Sequence, residues 1–172
     1  HCQGDASSLP YEDKSFDLVV SRLAVHHFSS PDCIVDEMVR VCRPGGWVVI
    51  ADIIGDDDPE LSAETDRLEI LRDPSHTRCP TLARLHSLLE DNKTGDMDVR
   101  PFSGNIYMHP LGLDFWMDNT ETPADARVEI TARMMAEIDG GAKTGMNPFI
   151  DVNGKIHFHH RYAVAQGFRK VE

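Results

Sequence analysis

The order strand, helix, glycine-rich turn, strand over residues 16–53 restricts the fold more than any other feature of this sequence. Residues 16–20 are a short apolar run with β-branched side chains, which predicts a buried strand. Apolar side chains recur every three or four positions over residues 32–42, as they do on the buried face of an amphipathic helix. A Pro-Gly-Gly turn ends this helix, and residues 47–53 predict a second buried strand. Because two strands joined through a helix usually pair in parallel, the sequence predicts an α/β fold with a parallel sheet.

The rest of the chain continues the alternation of helices and strands. Leucine and isoleucine spacing predicts the helices, and alternation of apolar and polar side chains predicts the strands. The predicted elements are helices over residues 60–71, from 80–81 onward and from 122–123 to 140–141, and strands over residues 97–102 and 155–165.

Composition restricts the class of protein and its partners. The chain has 172 residues, 41% hydrophobic and 27% charged, which suits one globular domain with a sizeable core. Its net charge of −12 argues against binding to nucleic acid or to an anionic membrane, since both need positive charge. The most apolar run, residues 47–54, contains Asp52 and is too short to span a membrane. The four cysteines show no C-x-x-C pair, which favours a reduced, cytoplasmic chain.

Four motifs follow one another in the first third of the chain: G-D-A-x-x-L-P at residues 4–10, S-F-D-L-V-V-S at 15–21, H-H-F at 26–28, and R-V-C-R-P-G-G-W-V-V-I-A-D at 40–52. Together they resemble the class I S-adenosylmethionine-dependent methyltransferases, particularly the small-molecule branch that includes ubiquinone and menaquinone biosynthesis enzymes. The resemblance is specific over residues 3–52 and general beyond residue 60. It implies an enzyme that uses S-adenosylmethionine to methylate a small molecule. It also implies a Rossmann-like sheet in the order 3-2-1-4-5-7-6, with the final strand antiparallel.

The resemblance also implies positions for the cofactor. In the family, an acidic residue after the third strand accepts a hydrogen bond from the adenine amino group, and Asp5 matches it. A carboxylate only accepts hydrogen bonds, so it suits an exocyclic amine. The alternative is that Asp5 is a turn residue. The methionine end of the cofactor would lie at the carboxyl end of the fourth strand, where open α/β sheets bind ligands. The predicted cofactor-binding residues are Gly4, Asp5, Ala6, Ser21, Arg22 and Leu23.

Histidines are the candidates for acid–base chemistry. His26 is the predicted catalytic residue, because histidine titrates near neutrality and can accept a proton from a substrate nucleophile. Methyl transfer from a sulfonium needs mainly proximity and alignment, so packing or helix capping is the alternative role for His26 and for its neighbour. Two adjacent residues on a regular element cannot both point into one pocket. The tentative substrate contacts are His27, His76 and Arg78, the last two in a loop between helices where a structural network is the alternative.

A metal site is not predicted. His157 and His159 lie two positions apart, so a strand would place both side chains on one face. The sequence has no third ligand at a spacing typical of metal sites, and a solvated strand face is the simpler interpretation.

Two parts of the family's cofactor site have no counterpart in the sequence. These are the glycine-rich loop after the first strand and the acidic residue that ends the second. The glycines at 45–46 follow a helix and precede a strand, which is the reverse of the required order. We therefore interpret the chain as the C-terminal portion of one methyltransferase domain, N-terminally truncated and lacking the first two strands. Residues 1–55 would be a partial cofactor-binding half, and residues 56–172 the substrate-side helices, an insert and the last strands.

This interpretation leaves the activity of the chain open. One hypothesis is an enzyme fragment impaired in cofactor binding. The second is a non-catalytic methyltransferase-like scaffold for dimerisation or regulation, and the third is an enzyme completed by a partner chain. Without its neighbour, the fourth strand would have an open edge, and such an edge is a template for association. The sequence thus predicts a homo-oligomer formed through the region of residues 17–21.

Overall fold

A computed structural model describes residues 3–92, 97–100 and 106–171 of the chain. The strands are β1 (Phe16–Arg22), β2 (Cys42–Ile53), β3 (Met97–Arg100), β4 (Ile106–Gly112), β5 (Phe149–Ile150) and β6 (Ile156–Arg169). The helices are α1 (Pro31–Val41), α2 (Pro59–Arg72), α3 (Leu82–Glu90), α4 (Leu113–Asp118) and α5 (Ala124–Ile138), and a 3₁₀ turn spans Val25–His27.

One mixed sheet organises the described residues. Strands β1 and β2 pair in parallel, with Val20 opposite Val49, and α1 connects them. Strand β6 runs antiparallel to β2 and also pairs with β3, which gives the order β1-β2-β6-β3; β4 and β5 pair with β6 as well. The predicted α/β fold, the parallel strand pair and the antiparallel final strand are confirmed.

Several predicted boundaries differ from the structure. Strand β2 begins five residues before its predicted start, because the turn containing Gly45, at a φ of 81°, lies within the strand. Helix α5 begins at Ala124 with Pro123 as its N-cap, so no side chain caps it. Strand β3 covers the first four residues of the predicted strand 97–102, and the last two lie outside the described residues. Strands β4 and β5 and helix α4 were not predicted. The division at residue 55 stays a prediction.

Two apolar cores position the elements. The first lies between one face of the sheet and helices α1 and α3, where Val35, Val48 and Leu85 are fully buried. The second lies where α2, α4 and α5 pack on the first half of β6, around Trp116 and Phe158, whose ring centroids are 4.9 Å apart. Helix α2 therefore joins the second core to the loop that follows it, residues 73–81.

The loop before β1 is held by helix α1. Arg40 donates to the carbonyl oxygens of Leu9 and Tyr11 and to the carboxylate of Asp13. Glu37 accepts from the backbone N–H of Leu9 at 2.9 Å. These contacts hold the loop against the C-terminal half of α1.

Strand β1 lies at an edge of the sheet as far as the described residues show, since β2 is its one neighbour there. Its side chains Leu18 and Val20 are each 55% exposed although both are apolar. Within the described residues, no helix combines the length and the apolar character needed to cross a membrane.

Candidate active site

Asp52 organises the carboxyl end of β2. Its side chain is buried and accepts hydrogen bonds from the backbone N–H groups of Val25 at 2.7 Å, Ile53 at 2.8 Å and Ala24 at 3.3 Å. Its Oδ1 also lies 2.5 Å from Nδ1 of His26. The first N–H groups of a helical turn have no partner within the turn, so this carboxylate satisfies donors that would otherwise be left unpaired.

The backbone of His26 in turn binds the loop of residues 73–81. Its backbone carbonyl oxygen accepts from the N–H of Thr77 at 3.0 Å, the hydroxyl of Thr77 at 2.7 Å and the N–H of Arg78 at 3.2 Å. A carboxylate only accepts hydrogen bonds, so the imidazole donates to Asp52 from Nδ1. In the neutral tautomer that this bond selects, Nε2 carries the lone pair that a proton acceptor needs.

Three histidine rings lie together at this point. The ring centroids of His26 and His27 are 4.1 Å apart, and those of His26 and His76 are 5.3 Å apart. Nδ1 of His27 lies 3.1 Å from both the carbonyl oxygen and the hydroxyl of Ser75. His26 and His27 lie on a 3₁₀ turn, and both rings approach the loop of residues 73–81. The expectation that at most one of them points into a pocket stays a prediction.

Asp66 on α2 holds the other side of the loop. Its Oδ1 lies 3.0 Å from Nε2 of His76 and accepts from the backbone N–H of Cys79 at 2.7 Å. The guanidinium of Arg78 lies 4.0 Å from its Oδ2, but Arg78 is 81% exposed. His76 and Arg78 thus have different surroundings: the histidine is buried against α2, while the arginine reaches solvent.

A cavity of about 430 Å³ opens beside this cluster. Arg78 lines it, as do Val25 and Phe28 on either side of the histidine pair. At its rim Arg84 donates to both carboxylate oxygens of Asp32 at 2.7 Å, and these bonds lower the pKa of Asp32. Its described lining residues are Val25, Phe28, Ser29, Pro31, Asp32, Ser62, Thr77, Arg78, Cys79, Pro80, Thr81 and Arg84. Of the residues predicted to contact substrate, Arg78 is in this lining, and the histidines lie behind it.

The predicted cofactor residues lie in two places. Asp5 is exposed, and its Oδ1 accepts from the N–H and the hydroxyl of Ser7 at 2.8 and 2.7 Å, which lowers the pKa of Asp5. Its Oδ2 accepts no hydrogen bond from a described residue and can therefore accept from an amine. Gly4 beside it is exposed, and Ala6 packs against the first core.

The second place is the end of β1. Ser21 and Arg22 close the strand, and Leu23 follows with a φ of 51° while its N–H donates to the carbonyl of Ala51 at 2.9 Å. The left-handed backbone at Leu23 turns the chain sharply over the strand ends. The exposed carboxylate of Asp5 is an acceptor for an exocyclic amine, and Leu23 turns the backbone at a strand end, so the residues present fit the cofactor that the motifs imply.

A second buried polar network lies behind the site and was not predicted. Glu69, fully buried on α2, bonds to Nε2 of His160 at 2.9 Å and to Arg72 at 2.8 Å. Burial raises the pKa of Glu69, but the hydrogen bond and charge of His160 and the charge of Arg72 outweigh it and leave a lowered pKa. Nδ1 of His160 lies 3.0 Å from the hydroxyl of Tyr162, whose pKa is raised by burial and by Glu69.

The neighbouring histidines on β6 have different surroundings. The rings of His157 and His159 lie 5.6 and 5.2 Å from the ring of Phe149, and His160 alone of the three reaches Glu69.

Sequence and structure comparisons identify the class of protein. A family profile described as "Methyltransferase domain" matches residues 1–50. The parallel pair β1 and β2, the antiparallel β6 and the site at the strand ends agree with this match. The family match, the relatives and the structural neighbours together support assignment of the chain to the class I S-adenosylmethionine-dependent methyltransferases, whose cofactor is S-adenosylmethionine.

Individual relatives agree with this family. The "Uncharacterized methyltransferase YcgJ" of Bacillus subtilis is 33% identical over 168 residues, a match that covers 98% of this chain and 64% of the relative. The crystal structure of YcgJ superposes with a TM-score of 0.82 at 28% identity, over 99% of this chain and 71% of that one. The BH2331 protein of Bacillus halodurans has the same fold, with a TM-score of 0.84 at 20% identity, over 99% of this chain and 78% of that one.

The chain is shorter than its curated relatives. It spans 64% of YcgJ and 56% of the Escherichia coli protein YafE, to which it is 31% identical over 127 residues and 70% of its own length.

Asp52→Asn tests the anchoring described above. An amide presents an N–H group where four donors converge, so we expect the free energy of unfolding to fall by about 3 kcal/mol. Urea unfolding measures this change. Asp57→Asn, in the exposed loop that follows, is the matched control and should change stability by less than about 0.5 kcal/mol. Equal stabilities for the two variants would contradict the anchoring role of Asp52.

Proposed function

We propose that this chain forms the acceptor side and part of the cofactor side of a methyltransferase that acts on a small molecule. The observation that carries the proposal is the Asp52–His26 pair beside the 430 Å³ cavity, at the strand ends where the family motifs place the cofactor. A cavity of that volume suits a small molecule better than a macromolecule. The free cysteines support a cytoplasmic location for it.

The cavity walls suggest how an acceptor would be held. Val25, Phe28 and Pro31 offer apolar contact, while the exposed guanidinium of Arg78 offers hydrogen bonds to an anionic or carbonyl group. S-adenosylmethionine, when bound, supplies an electrophilic methyl group. The contribution of the chain is to place the acceptor atom in line with that methyl and to exclude water.

His26 is proposed as the proton acceptor where the acceptor atom carries a proton. Asp52 fixes the proton of the ring on Nδ1 and leaves Nε2 able to accept, the orientation in which a carboxylate supports a histidine base. His27 and His76 are proposed to orient the acceptor, because their rings flank that of His26. Val25, the residue before His26, lines the cavity, so an acceptor bound there lies next to the histidine turn.

The cofactor would be held by Asp5 and Ala6 at its adenine and by Ser21, Arg22 and Leu23 at its methionine end. We further propose that the 172 residues alone hold it weakly. The support is the absence from the sequence of the family's glycine-rich loop and ribose-binding acid, which supply the remaining contacts.

Titration of S-adenosylhomocysteine into the chain, monitored by ligand-observed NMR, tests both the contact with Asp5 and the weak binding. We expect weak, saturable binding, and Asp5→Asn should weaken it about 10-fold or more. The introduced side-chain amide keeps the turn with Ser7 but offers an N–H group where adenine needs an acceptor. Glu12→Gln, exposed in the same loop, is the control that should bind as the unmodified chain does.

Two outcomes would contradict this proposal. Equal affinities for Asp5→Asn and Glu12→Gln would remove Asp5 from the cofactor site. No binding at saturating concentrations would contradict cofactor binding by the chain and favour the non-catalytic scaffold.

We also propose that two copies of the chain associate through the edge of β1. The support is that β1 has one described neighbour and exposes Leu18 and Val20, because an apolar edge strand can pair with another copy of itself.

Light scattering after size-exclusion chromatography tests the association. A dimer is expected for the unmodified chain and a monomer for Val20→Lys, because a lysine on each copy places like charges at the edge. Val152→Lys, on a fully exposed turn, is the control and should remain a dimer. A monomer at every concentration, or a dimer that Val20→Lys leaves intact, would refute association through β1.

A further inference from the structure

Asp66, His76 and Cys79 bring three metal-ligating atoms of different kinds to one buried point. One oxygen of Asp66, Nε2 of His76 and Sγ of Cys79 all lie within 4.8 Å of one another. Nε2 lies 3.0 Å from Oδ1 of Asp66 and 3.9 Å from Sγ. The side chains of His76 and Asp66 are 1% and 13% exposed, and Cys79 is 3% exposed.

These distances are close to those a tetrahedral ion imposes on its ligands. Zinc binds imidazole nitrogen and carboxylate oxygen at about 2.0–2.2 Å and thiolate sulfur at about 2.3 Å. Ligand atoms around such an ion are therefore separated by roughly 3.3–3.6 Å. The two measured separations lie on either side of this range, and the third, between Asp66 and Cys79, is no more than 4.8 Å, so the side chains would have to close on an ion to bind it.

We propose that Asp66, His76 and Cys79 form a binding site for a divalent metal of the zinc class. A carboxylate, an imidazole and a thiolate make a mixed donor set that suits zinc and cobalt and does not suit magnesium or calcium, which take oxygen ligands. Binding replaces the thiol proton, which passes to solvent. His76 must also give up the proton that Nε2 donates to Asp66, so the neutral ring that binds the ion carries its proton on Nδ1 after exchange with solvent. Three protein ligands leave the fourth position for water or another small ligand.

The backbone around the site already holds its ligands in place. The N–H of Cys79 donates to Asp66 and that of His76 to the carbonyl of Asp73, so the loop is folded onto α2 with both ligands turned towards the helix. The carbonyl of His26 fixes the loop from the other side through Thr77 and Arg78. A site prearranged in this way loses little conformational entropy when an ion binds.

Charge and access also suit a cation. Asp52, Asp66 and Glu69 all lie close enough to act electrostatically on Cys79. The guanidinium of Arg78, 4.0 Å from Oδ2 of Asp66, opposes a cation, but its exposed side chain can turn into solvent. Cys79 lines the 430 Å³ cavity, which gives an ion a route from solvent.

Titration of cobalt(II) chloride into the reduced chain tests the site. Thiolate coordination gives an intense charge-transfer absorption in the near ultraviolet, which we expect to saturate at one ion per chain and to disappear when zinc(II) is added. Cys79→Ala should abolish this absorption. His76→Gln and Asp66→Asn should weaken cobalt binding at least about 100-fold, the upper end of the loss seen when even an outer-shell partner of a metal is removed.

The control separates this site from the thiols of Cys2 and Cys33. The double variant Cys2→Ser/Cys33→Ser keeps all three ligands and should bind as the unmodified chain does. Circular dichroism shows whether each variant folds, and the histidine and aspartate variants keep the test decisive if the cysteine variant does not. Absence of the absorption, or its persistence in Cys79→Ala, would overturn the proposal and leave a hydrogen-bonded cluster in its place.

Discussion

The buried carboxylate of Asp52 is the interaction on which the rest of the site depends. It lies at the carboxyl end of β2 and accepts from the 3₁₀ turn that follows β1, so it connects the carboxyl ends of the two parallel strands. Through Nδ1 it orients His26, and the carbonyl of His26 then holds Thr77 and Arg78. One side chain thus determines where the histidine turn and the loop over the cavity lie. A buried carboxylate without these donors would cost several kcal/mol, which explains why the turn and the loop form together.

Helix α2 supports the same site from the other side. Its buried face carries Asp66 and Glu69 beside Leu68, and these acids bind His76 and His160. The helix therefore contributes to the second apolar core and to the polar site at once. A site held from the sheet by Asp52 and from the helix by Asp66 has a loop fixed on both sides, and a fixed loop is what positioning catalysis requires.

The sequence predicts the parallel strand pair and α1 well, because period-two and period-3.6 patterns act over short stretches there. It does not predict β4, since Pro110 and Gly112 interrupt its pattern, and both residues normally argue against a strand. The motif at residues 26–28 indicates the histidine turn but not the carboxylate that holds it, Asp52. An acid within an apolar run, as Asp52 is, was the signal available for that anchor.

The remaining site residues could not be predicted because their partners are distant in sequence. Asp66 and Cys79 are 13 residues apart, and Glu69 and His160 are 91 apart. Burial of acids on α2 removes the apolar periodicity that would have marked its inner face. The H-x-x-C spacing of His76 and Cys79 is a weak signal, and only the fold adds the aspartate to it.

Amide hydrogen exchange at Thr77 and Arg78 tests the central claim most directly. Neither residue touches Asp52, so their N–H groups are protected by Asp52 only if the connection through His26 is real. We predict that Asp52→Asn increases exchange at these two amides while Leu85 and Leu88, in the first core, stay protected. Unchanged protection at Thr77 and Arg78 in Asp52→Asn would show that the loop is held without the carboxylate and would contradict the account.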